Sequence, residues 1–550
     1  MPLPPRVRAP THRPPAAPLA CVHPPPACCP ACVPPPVLTK GFASVSFGPP
    51  PSVFTQSAVT AQTEQKKRRR RTWLLVALLV ALVAGLGTGG WLLWGRDAGS
   101  SSDGRSGEAV PGPLDVRQTV EKPPATTTGA MAFRFSVDDM SPGEHYALPG
   151  MWATDTILAK GINRTLAGYP IGADAAPGKK QEKWTVRLDG PICGYTQHVT
   201  VDHRTAVLFK ASDREGAYCN HVVLVDLDDG TEVWERTFPV STAGHSVSSP
   251  QRTPGVTLAH DTVAVTWGGG TSAFGLADGR SKWRTTVTGS CRDDGAAGGA
   301  GLLVRRACWK EGTPSSDIWD GTTYSVRKVD PATGATVWTY SAAKGVRDLV
   351  VPSAEPPVVG VSAGDTGLTE LISLDAEGRN RATVSLQNGT YVGECSSSDY
   401  LVIDDCPTIA VGDGQVFLRS KDQTDQGTSN WIIGFDLATG TTTRKFDSGP
   451  HALLRPVRMS GHQLLALRTS EDGISPHALL SLDPATGGER PYLYFGLPVE
   501  AAPLTSIDDS DVLVQDGRVF FGAKTADGPG ADQKKAWIYL VLGIGSAARE

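Results

Sequence analysis

Short runs of alternating apolar and polar residues recur along the chain from about residue 130 to its end. Runs such as HVVLVDL, NWIIGFDL and HALLSLDP are rich in Val, Ile and Leu, and each is followed by a turn and a further short run. Runs of this length and composition are typical of β-strands, and no helical period lies between them. The pattern therefore predicts an all-β domain.

One segment departs from this pattern because it is apolar throughout. Residues 73–94 read WLLVALLVALVAGLGTGGWLLW and form 22 positions without a charge. At about 1.5 Å of rise per residue, a helix of this length spans a hydrocarbon core of roughly 30 Å. A cleaved signal peptide is the alternative. Signal peptides have a shorter apolar region than this one and an A-x-A cleavage site soon after it, and no such site follows promptly here. We therefore expect an uncleaved transmembrane helix.

The residues before this segment predict its orientation. The basic run KKRRRR at 66–71 acts as a juxtamembrane stop, and cationic flanks stay on the cytoplasmic side. The chain is then expected at the cell membrane as a single-pass protein, with its N-terminus cytoplasmic and everything after the span extracytoplasmic. The predicted organisation is a disordered Pro-rich cytoplasmic tail (1–65), the basic stop (66–71), the transmembrane helix (73–94), a flexible extracytoplasmic linker (95–130) and a β-domain (131–550).

Charge is distributed unevenly between the two sides of the span. Residues 1–72 hold ten Lys/Arg and one Glu, whereas residues 95–550 hold 42 Lys/Arg and 55 Asp/Glu. Proteins that bind nucleic acid need clustered cations for the phosphates. The acidic outer part therefore argues against nucleic acid as a partner.

The β-domain contains an internal repeat. Six copies align on a glycine, at intervals of 44 to 62 residues. A repeat near 50 residues, built from short strands, is typical of β-propeller blades with loops of variable length. The aligned glycines are Gly230, Gly279, Gly334, Gly378, Gly440 and Gly487.

The fixed letters of the repeat predict a structural role. An Asp lies four residues before the Gly in several copies, where its carboxylate can accept bonds from turn N–H groups, and the Gly can adopt the positive φ of a tight hairpin. A Trp four residues after the Gly can pack between adjacent sheets. These residues, predicted to fasten one blade to the next, are Asp226, Gly230, Trp234, Gly279, Trp283, Asp330, Thr333, Gly334, Trp338, Asp436, Gly440, Asp483 and Gly487.

The same residues resemble a known family. Asp330, Thr333, Gly334 and Trp338 match the tryptophan-docking motif of the quinoprotein, or pyrroloquinoline-quinone (PQQ)-type, β-propellers. Other copies depart from the motif: Gly275 replaces the Asp once, and the Trp is replaced by Ala382, Arg444 and Pro491. The layout also resembles the membrane-anchored propeller proteins of actinobacteria. The resemblance implies an eight-bladed β-propeller, and the lack of a complete catalytic constellation, described below, indicates one without catalytic activity.

The blade count follows from the runs on either side of the six copies. Three predicted strands that end near Trp184 form a blade before them, and three at the C-terminus form a blade that lacks its fourth strand. Residues 131–138, MAFRFSVD, are predicted to supply that strand and to close the ring. Eight blades are expected, and seven are the alternative if residues 131–183 do not form one.

Six cysteines lie after the span, and six allow 15 pairings. Cysteines that are neighbours in the sequence lie on either side of one predicted loop region between blades. This placement, in an oxidising compartment, favours the disulfides Cys193–Cys219, Cys291–Cys308 and Cys395–Cys406. A redox role is the alternative, but this part of the chain holds no C-x-x-C. The remaining four cysteines lie in the Pro-rich tail, where a zinc site would need a second C-x-x-C pair.

No complete catalytic, cofactor-binding or metal-binding constellation emerges, and no cofactor is predicted. The resemblance implies that a quinoprotein enzyme carries a disulfide between adjacent cysteines, and residues 95–550 hold no adjacent pair. The acid pairs Asp293/Asp294, Asp404/Asp405 and Asp508/Asp509 are expected to be solvated turns, because they stand beside Gly and Ser.

The function expected is that of a binding or scaffold module, in which the anchored propeller holds an envelope polymer or a protein partner. This expectation rests on analogy with other propellers. A sensor ectodomain that signals across the membrane is the alternative, and a quinone-dependent oxidoreductase is a weaker one.

Overall fold

The computed structural model describes ten stretches of the chain, all of which fall within one compact unit, Gly107–Glu550. No helix in these stretches is long and apolar enough to cross a membrane. The predicted tail, basic stop and transmembrane helix (1–65, 66–71 and 73–94) lie outside them. The described residues are 111–171, 182–240, 253–310, 321–364, 367–387, 389–395, 401–423, 427–506, 509–529 and 536–547.

The described residues form a ring of eight antiparallel sheets, which confirms the all-β eight-bladed propeller. The first strands of adjacent blades contact one another around the axis. Blades 1 to 4 comprise β3 (Met151–Ala153), β4 (Ile157–Ile162), β5 (Thr165–Pro170) and β6 (Trp184–Arg187); β7 (Ile192–Tyr195), β8 (Arg204–Lys210), β9 (Cys219–Asp226) and β10 (Glu232–Thr237); β11 (Gly255–Ala259), β12 (Thr262–Thr266), β13 (Thr271–Gly275) and β14 (Ser281–Arg284); and β15 (Cys291–Ala297), β16 (Leu303–Cys308), β17 (Thr323–Val329) and β18 (Thr336–Ser341).

The second half of the ring continues the same order, with one extra short strand in blade 6. Blades 5 to 7 comprise β19 (Asp348–Ala354), β20 (Pro357–Ser362), β21 (Glu370–Leu374) and β22 (Asn380–Ser385); β23 (Tyr391–Val392), β24 (Ile409–Gly412), β25 (Gln415–Ser420), β26 (Trp431–Asp436) and β27 (Thr442–Asp447); and β28 (Ala452–Ser460), β29 (Gln463–Ser470), β30 (His477–Leu482) and β31 (Glu489–Phe495). A 3-10 helix, Val499–Thr505, leads into blade 8.

Blade 8 joins the two ends of the domain. Its strands are β32 (Ser510–Gln515), β33 (Arg518–Ala523), β35 (Ala536–Ser546) and, as the outer strand, β1 (Gly129–Met140). β1 pairs with β35 in antiparallel register, from Gly129 opposite Ser546 to Met140 opposite Ala536. The predicted closing strand is thereby confirmed, and the seven-bladed alternative is wrong. A small two-stranded sheet is formed by β2 (His145–Ala147) and β34 (Thr525–Asp527).

The apolar core lies between neighbouring sheets. All five residues of β12 are buried, because blades cover both faces of a central strand. The outer strand β10 buries Trp234 and exposes most of its other side chains. Burying apolar area on both faces of each blade stabilises the ring by about 25 cal/mol per Å².

A segment that precedes β1 lies along the ring, although it falls within the predicted linker. We call residues 111–128 the N-terminal strap. The N–H of Arg117 donates to the Val199 carbonyl at 2.8 Å in blade 2, and Glu121 pairs with Arg458 of blade 7 at 2.5 Å. The Tyr492 hydroxyl donates to the Lys122 carbonyl. The strap thus connects blades that are far apart in sequence.

All three predicted disulfides are present. Cys193–Cys219 lies within blade 2, and Cys291–Cys308 joins two residues that are directly opposite in β15 and β16. Cys395–Cys406 brackets the loop between β23 and β24, which both belong to blade 6. The prediction that each pair brackets a loop between blades is therefore wrong, because all three disulfides lie within single blades.

Candidate functional site

The predicted repeat residues form the contacts between blades. A Cβ atom added to Gly279 would lie 2.7 Å from the ring of Trp234, and one added to Gly334 would lie 2.7 Å from the ring of Trp283. Each indole therefore packs on the turn glycine of the following blade. The Trp234 N–H also donates to the Leu276 carbonyl at 2.9 Å, in that same turn.

The carboxylates of the repeat hold their own turns. Asp330 Oδ1 accepts bonds from the N–H groups of Ala332 at 2.9 Å and Thr333 at 2.8 Å. These bonds hold the pKa of Asp330 below its usual range. Asp436 and Asp483 accept equivalent bonds. The side chains of the repeat are therefore engaged in docking and turn formation.

Where the Trp is replaced, other groups contact the next blade. Arg444 takes the Trp position in blade 6, and its guanidinium donates to the Ala485 carbonyl of blade 7 at 2.7 Å. A Cβ atom on Gly440 would instead meet the Thr383 carbonyl at 2.7 Å. Close backbone packing and one long cation thus replace the indole.

A cavity of about 770 Å³ lies among the inner strands of blades 2, 4 and 5, the segment 147–149 that precedes blade 1, a loop of blade 6 and Lys524 of blade 8. Its walls combine partly exposed apolar residues, such as Pro149, Tyr195 and Pro352, with polar ones. Cavities of 300 to 1,000 Å³ that combine apolar walls with a few polar groups are typical ligand sites. We call this space the axial cavity.

The loop from blade 6, residues 401–407, brings acidic groups to the axis, and we call it the axial loop. Leu401 and Ile403 are fully buried among the inner strands. The Val351 N–H donates to the Ile403 carbonyl at 2.6 Å, and Val402 forms a parallel β-bridge with Ala296. Buried apolar residues thus anchor the loop, and they place Asp404 and Asp405 at the cavity wall.

Asp404 is held by uncharged donors. Its Oδ2 accepts from the Thr257 hydroxyl at 3.2 Å, and the Gly298 N–H also bonds to this carboxyl. The cavity leaves 24% of the side chain accessible. Because water solvates the carboxylate poorly at this depth, burial raises the pKa of Asp404 to about 6.

His198 faces Asp404 across the cavity, with 3.9 Å between its Nε2 and Oδ2 of Asp404. Burial lowers the pKa of His198 to about 4, so the ring is neutral at pH 7. An uncharged imidazole at this distance does not neutralise the carboxylate.

Asp405 also has a neutral partner. Its Oδ1 accepts from Gln197 Nε2 at 2.8 Å. Burial raises the pKa of Asp405, and the nearby Asp511 adds to this effect while Lys524 opposes it. Lys524 itself lies 4.0 Å from Asp511. The axial cavity therefore presents two carboxylates whose hydrogen-bond partners are uncharged.

The expectation that the acid pairs are solvated turns is wrong for two of them. Asp293 and Asp294 are only 4% and 2% exposed, in β15. Arg327 pairs with Asp293, and Arg305 Nη2 lies 3.6 Å from Asp294 Oδ2. The residues next to the acid pair did not indicate this network, because the arginines that form the ion pairs lie on other strands, β16 and β17.

The second error concerns the axial loop itself. Asp404 and Asp405 follow LVI, an apolar run that indicates burial, and they precede Cys406. That run was the available signal. The pair Asp508/Asp509 is described only at Asp509, which is exposed.

The family resemblance implies a quinone cofactor and a calcium ion, and their needs can be compared with the residues of the axial cavity. Among the described residues, no three His, Cys, Asp or Glu side chains lie together as metal ligands. The three disulfides join cysteines that are at least 11 residues apart. The carboxylates of the axial loop would also repel the carboxylates of pyrroloquinoline quinone. The residues of the cavity do not fit this cofactor.

Comparison with known proteins gives one family match. Residues 322–527 match the family described as outer membrane protein assembly factor BamB. No curated protein sequence matches the chain.

Several solved structures resemble the chain weakly. BamB from Moraxella catarrhalis is 11% identical, with a TM-score of 0.38, over 74% of this chain and 99% of that chain. The quinohemoprotein alcohol dehydrogenase from Comamonas testosteroni is 11% identical, with a TM-score of 0.40, over 77% of this chain and 78% of that chain. A europium-containing methanol dehydrogenase is 12% identical, with a TM-score of 0.38, over 69% and 83%. At these scores the structural similarities carry no argument about activity. Residues 322–527 of the propeller are therefore similar in sequence to the PQQ-like repeat family.

Proposed function

We propose that this chain is a single-pass membrane protein whose extracytoplasmic propeller acts as a binding and scaffold module for a protein or an envelope polymer. The observation that carries the proposal is the match of residues 322–527 to a family described as an assembly factor. The side chains of the repeat are engaged in blade docking, so the fold provides a rigid ring whose loops and axis remain to bind a partner.

Two further observations support this proposal. Three disulfides suit an oxidising compartment, which agrees with an extracytoplasmic ring. The axial cavity does not fit the quinone cofactor, so the chemistry of the enzymes in this family has no support from its residues. A ring that binds and holds a partner needs neither cofactor nor metal.

Position-specific crosslinking in intact cells tests the proposal. Ile474 and the side chain of His462 are 89% and 88% exposed, and they lie in turns at opposite ends of β29. A photo-crosslinking residue at each position of the full chain samples the two faces of the ring. We expect a discrete crosslinked product from one face and none from the other.

Orientation is measured in the same cells. A cysteine introduced at Ile474 should react with a membrane-impermeant thiol reagent, whereas the four native cysteines of the tail should react only after lysis. No discrete product from either face would contradict the binding role, and labelling of the tail in intact cells would contradict the orientation.

A further inference from the structure

The N-terminal strap crosses the part of the ring where the two ends of the domain meet. It contacts blades 3, 2, 1, 8 and 7 in that order, at or beside the connection between the first two strands of each. Asp115 Oδ1 lies 3.0 Å from His260 Nδ1 in blade 3, and the guanidinium of Arg117 donates to the Ala153 carbonyl of blade 1 at 2.6 Å. Blade 8 combines strands from both ends of the domain, so the strap spans the joints on either side of it.

The joint between blades 7 and 8 lacks the pair of groups that fastens the joints after blades 1 to 4. There, an indole packs on the turn glycine of the next blade. In blade 7, Pro491 stands at the position of the indole. Blade 8 also lacks the docking turn, because β35 and β1 are not consecutive in the chain and no turn connects them. This joint therefore depends on other contacts.

The last residues of the strap supply contacts at the outer edge of this joint. The Tyr494 N–H of β31 donates to the Thr127 carbonyl at 2.7 Å, and Thr128 forms a parallel β-bridge with Tyr494. On the side of blade 8, the Thr126 N–H donates to Ser546 Oγ at 3.0 Å. The strap thus links the outer strand of blade 7 to blade 8 without an indole.

Glu121 fastens the inner end of the same joint. Its side chain is only 1% exposed, and its carboxylate accepts from Arg458 Nη2 of blade 7 at 2.5 Å and from the Gly517 N–H of blade 8 at 3.1 Å. Its own N–H donates to Ser460 Oγ of blade 7 at 2.8 Å. Removal of one partner from such a pair leaves an uncompensated buried charge. A single strap residue therefore bonds to both blades.

Blade 8 itself does not need the strap to keep its four strands. β1 pairs with β35 from Gly129 onward, beyond the end of the strap. Between blades 7 and 8, the contacts that remain without the strap include the rings of Phe495 and Phe521, 5.9 Å apart, and the bond from Arg458 Nη2 to the Val514 carbonyl at 3.0 Å. Loss of the strap contacts therefore weakens this joint more than it weakens either blade.

We propose that the N-terminal strap is a conformational clasp: while it is seated, the joint between blades 7 and 8 is closed, and its release lets that joint open while the other blades keep their fold. The inference goes beyond the binding function above and does not depend on it. The strap also leads to the N-terminal part of the chain, so a partner that draws on that part would act on this joint. By linkage, a molecule that opens the joint would release the strap.

Two neighbouring positions of β30 report on the two sides of blade 7. Leu479 belongs to the apolar core shared with blades 8 and 1, whereas Ala478 belongs to the core shared with blade 6, and both are fully buried. A cysteine introduced at either position of the full chain in detergent is shielded from a thiol reagent until the joint that it faces opens. Peptide mass mapping follows the labelling rate at each position and separates it from that of the native cysteines in the tail.

Glu121→Ala is the variant that releases the clasp. We expect it to speed labelling at least tenfold in the Leu479→Cys protein and to leave labelling of the Ala478→Cys protein unchanged, because Glu121 bonds to blades 7 and 8. Unchanged labelling at both positions, or equal acceleration at both, would overturn the proposal.

Asp115→Ala is the matched control, since it removes another strap carboxylate that contacts the ring, at blade 3. It should leave labelling unchanged at both positions, and acceleration at position 479 equal to that in Glu121→Ala would overturn the assignment to this joint. Circular dichroism and thermal unfolding check that each variant is folded. Should Glu121→Ala fail to fold, Glu121→Gln, which still offers an acceptor to the Gly517 N–H, should speed labelling at position 479 at least threefold, and no acceleration there would overturn the proposal.

Discussion

At the scale of single residues, the repeat depends on pairs of a turn glycine and an indole from the preceding blade. Gly279 has a φ of 65°, a conformation that glycine adopts without penalty. The ring of Trp234 occupies the space that a Cβ would take. Glycine is therefore required here for two separate reasons: the turn needs a positive φ, and the indole leaves no space for a Cβ atom.

The stability costs of these two effects, backbone strain and overlap with the indole, can be separated by comparing substitutions at two glycines. Gly473 has a φ of 66°, and a Cβ added there meets no atom within 4 Å. Gly473→Ala should therefore cost only the backbone strain, about 1–2 kcal/mol. Gly279→Ala should cost about 1–3 kcal/mol more, because the methyl group overlaps the Trp234 ring. Urea unfolding measures both, and equal losses would show that the indole contact contributes nothing.

Asp404 gives a prediction about pH. Its pKa of about 6 in the folded chain exceeds the ordinary value of 3.8, so the folded state binds more protons between these values. The contribution of Asp404 to stability is therefore greatest below pH 4 and declines as the pH rises through 6. Asp404→Asn removes this decline, so the variant should be more stable than the parent at pH 7, by up to about 2 kcal/mol.

Thermal unfolding at pH 7 and pH 4.5 measures this difference. The advantage of the Asn variant should shrink at the lower pH, and His198 is present in both proteins, so the comparison largely removes its opposite trend. A variant less stable than the parent at pH 7 would contradict the assigned burial cost. A carboxylate kept at a cost to stability is typical of a functional site.

Single residues also explain why the sequence predicted the repeat but not the buried carboxylates of the axial loop. Asp330, Gly334 and Trp338 recur at fixed spacing, so local chemistry and repetition identify them together. Asp404 and Asp405 occur once, and their environment is created by residues such as Gln197 and Thr257, more than 140 positions away. No local pattern reports a contact of that range.

At the scale of elements, the axial loop depends on its disulfide and on the strands that it crosses. Cys395–Cys406 spans 11 residues and precedes β24, so it fixes the point at which the loop leaves the axis. Cys291–Cys308, in contrast, joins two strands already paired by backbone hydrogen bonds. The two bridges therefore differ in what they hold, although spacing predicted both.

Replacement of each bridge by serines tests this difference. Cys395→Ser with Cys406→Ser should speed hydrogen exchange at the Val351 amide, which donates to the Ile403 carbonyl, because the axial loop loses its fixed position. Cys291→Ser with Cys308→Ser should lower stability, by about 2–4 kcal/mol, and leave that exchange unchanged in the folded protein. Hydrogen-exchange mass spectrometry at a temperature where both variants are folded gives the comparison. Equal exchange at Val351 in the two variants would show that the bridge does not position the loop.

At the scale of the whole molecule, closure of the ring was predictable and the strap was not. The C-terminal blade lacked a strand, and MAFRFSVD supplied an alternating run of the right length. The strap has no such pattern, since its Gly, Pro and Thr residues are also typical of a linker. Its contacts, such as Glu121 with Arg458 and with the Gly517 N–H, depend on blades brought together only by the closed ring.

Truncation from the N-terminus separates these two contributions. A chain that begins at residue 141 lacks β1, which leaves the 11-residue β35 as an open edge and removes the buried Phe135 and Met140. We expect it to lose cooperative unfolding and to aggregate.

A chain that begins at residue 129 keeps β1 and loses only the strap, so it should unfold cooperatively at a lower midpoint than a chain that begins at residue 111. Urea unfolding followed by tryptophan fluorescence, with size-exclusion chromatography, distinguishes the three. If the shortest chain unfolded at the same midpoint as the longest, β1 would contribute nothing to closure and the ring would be stable with an open eighth blade.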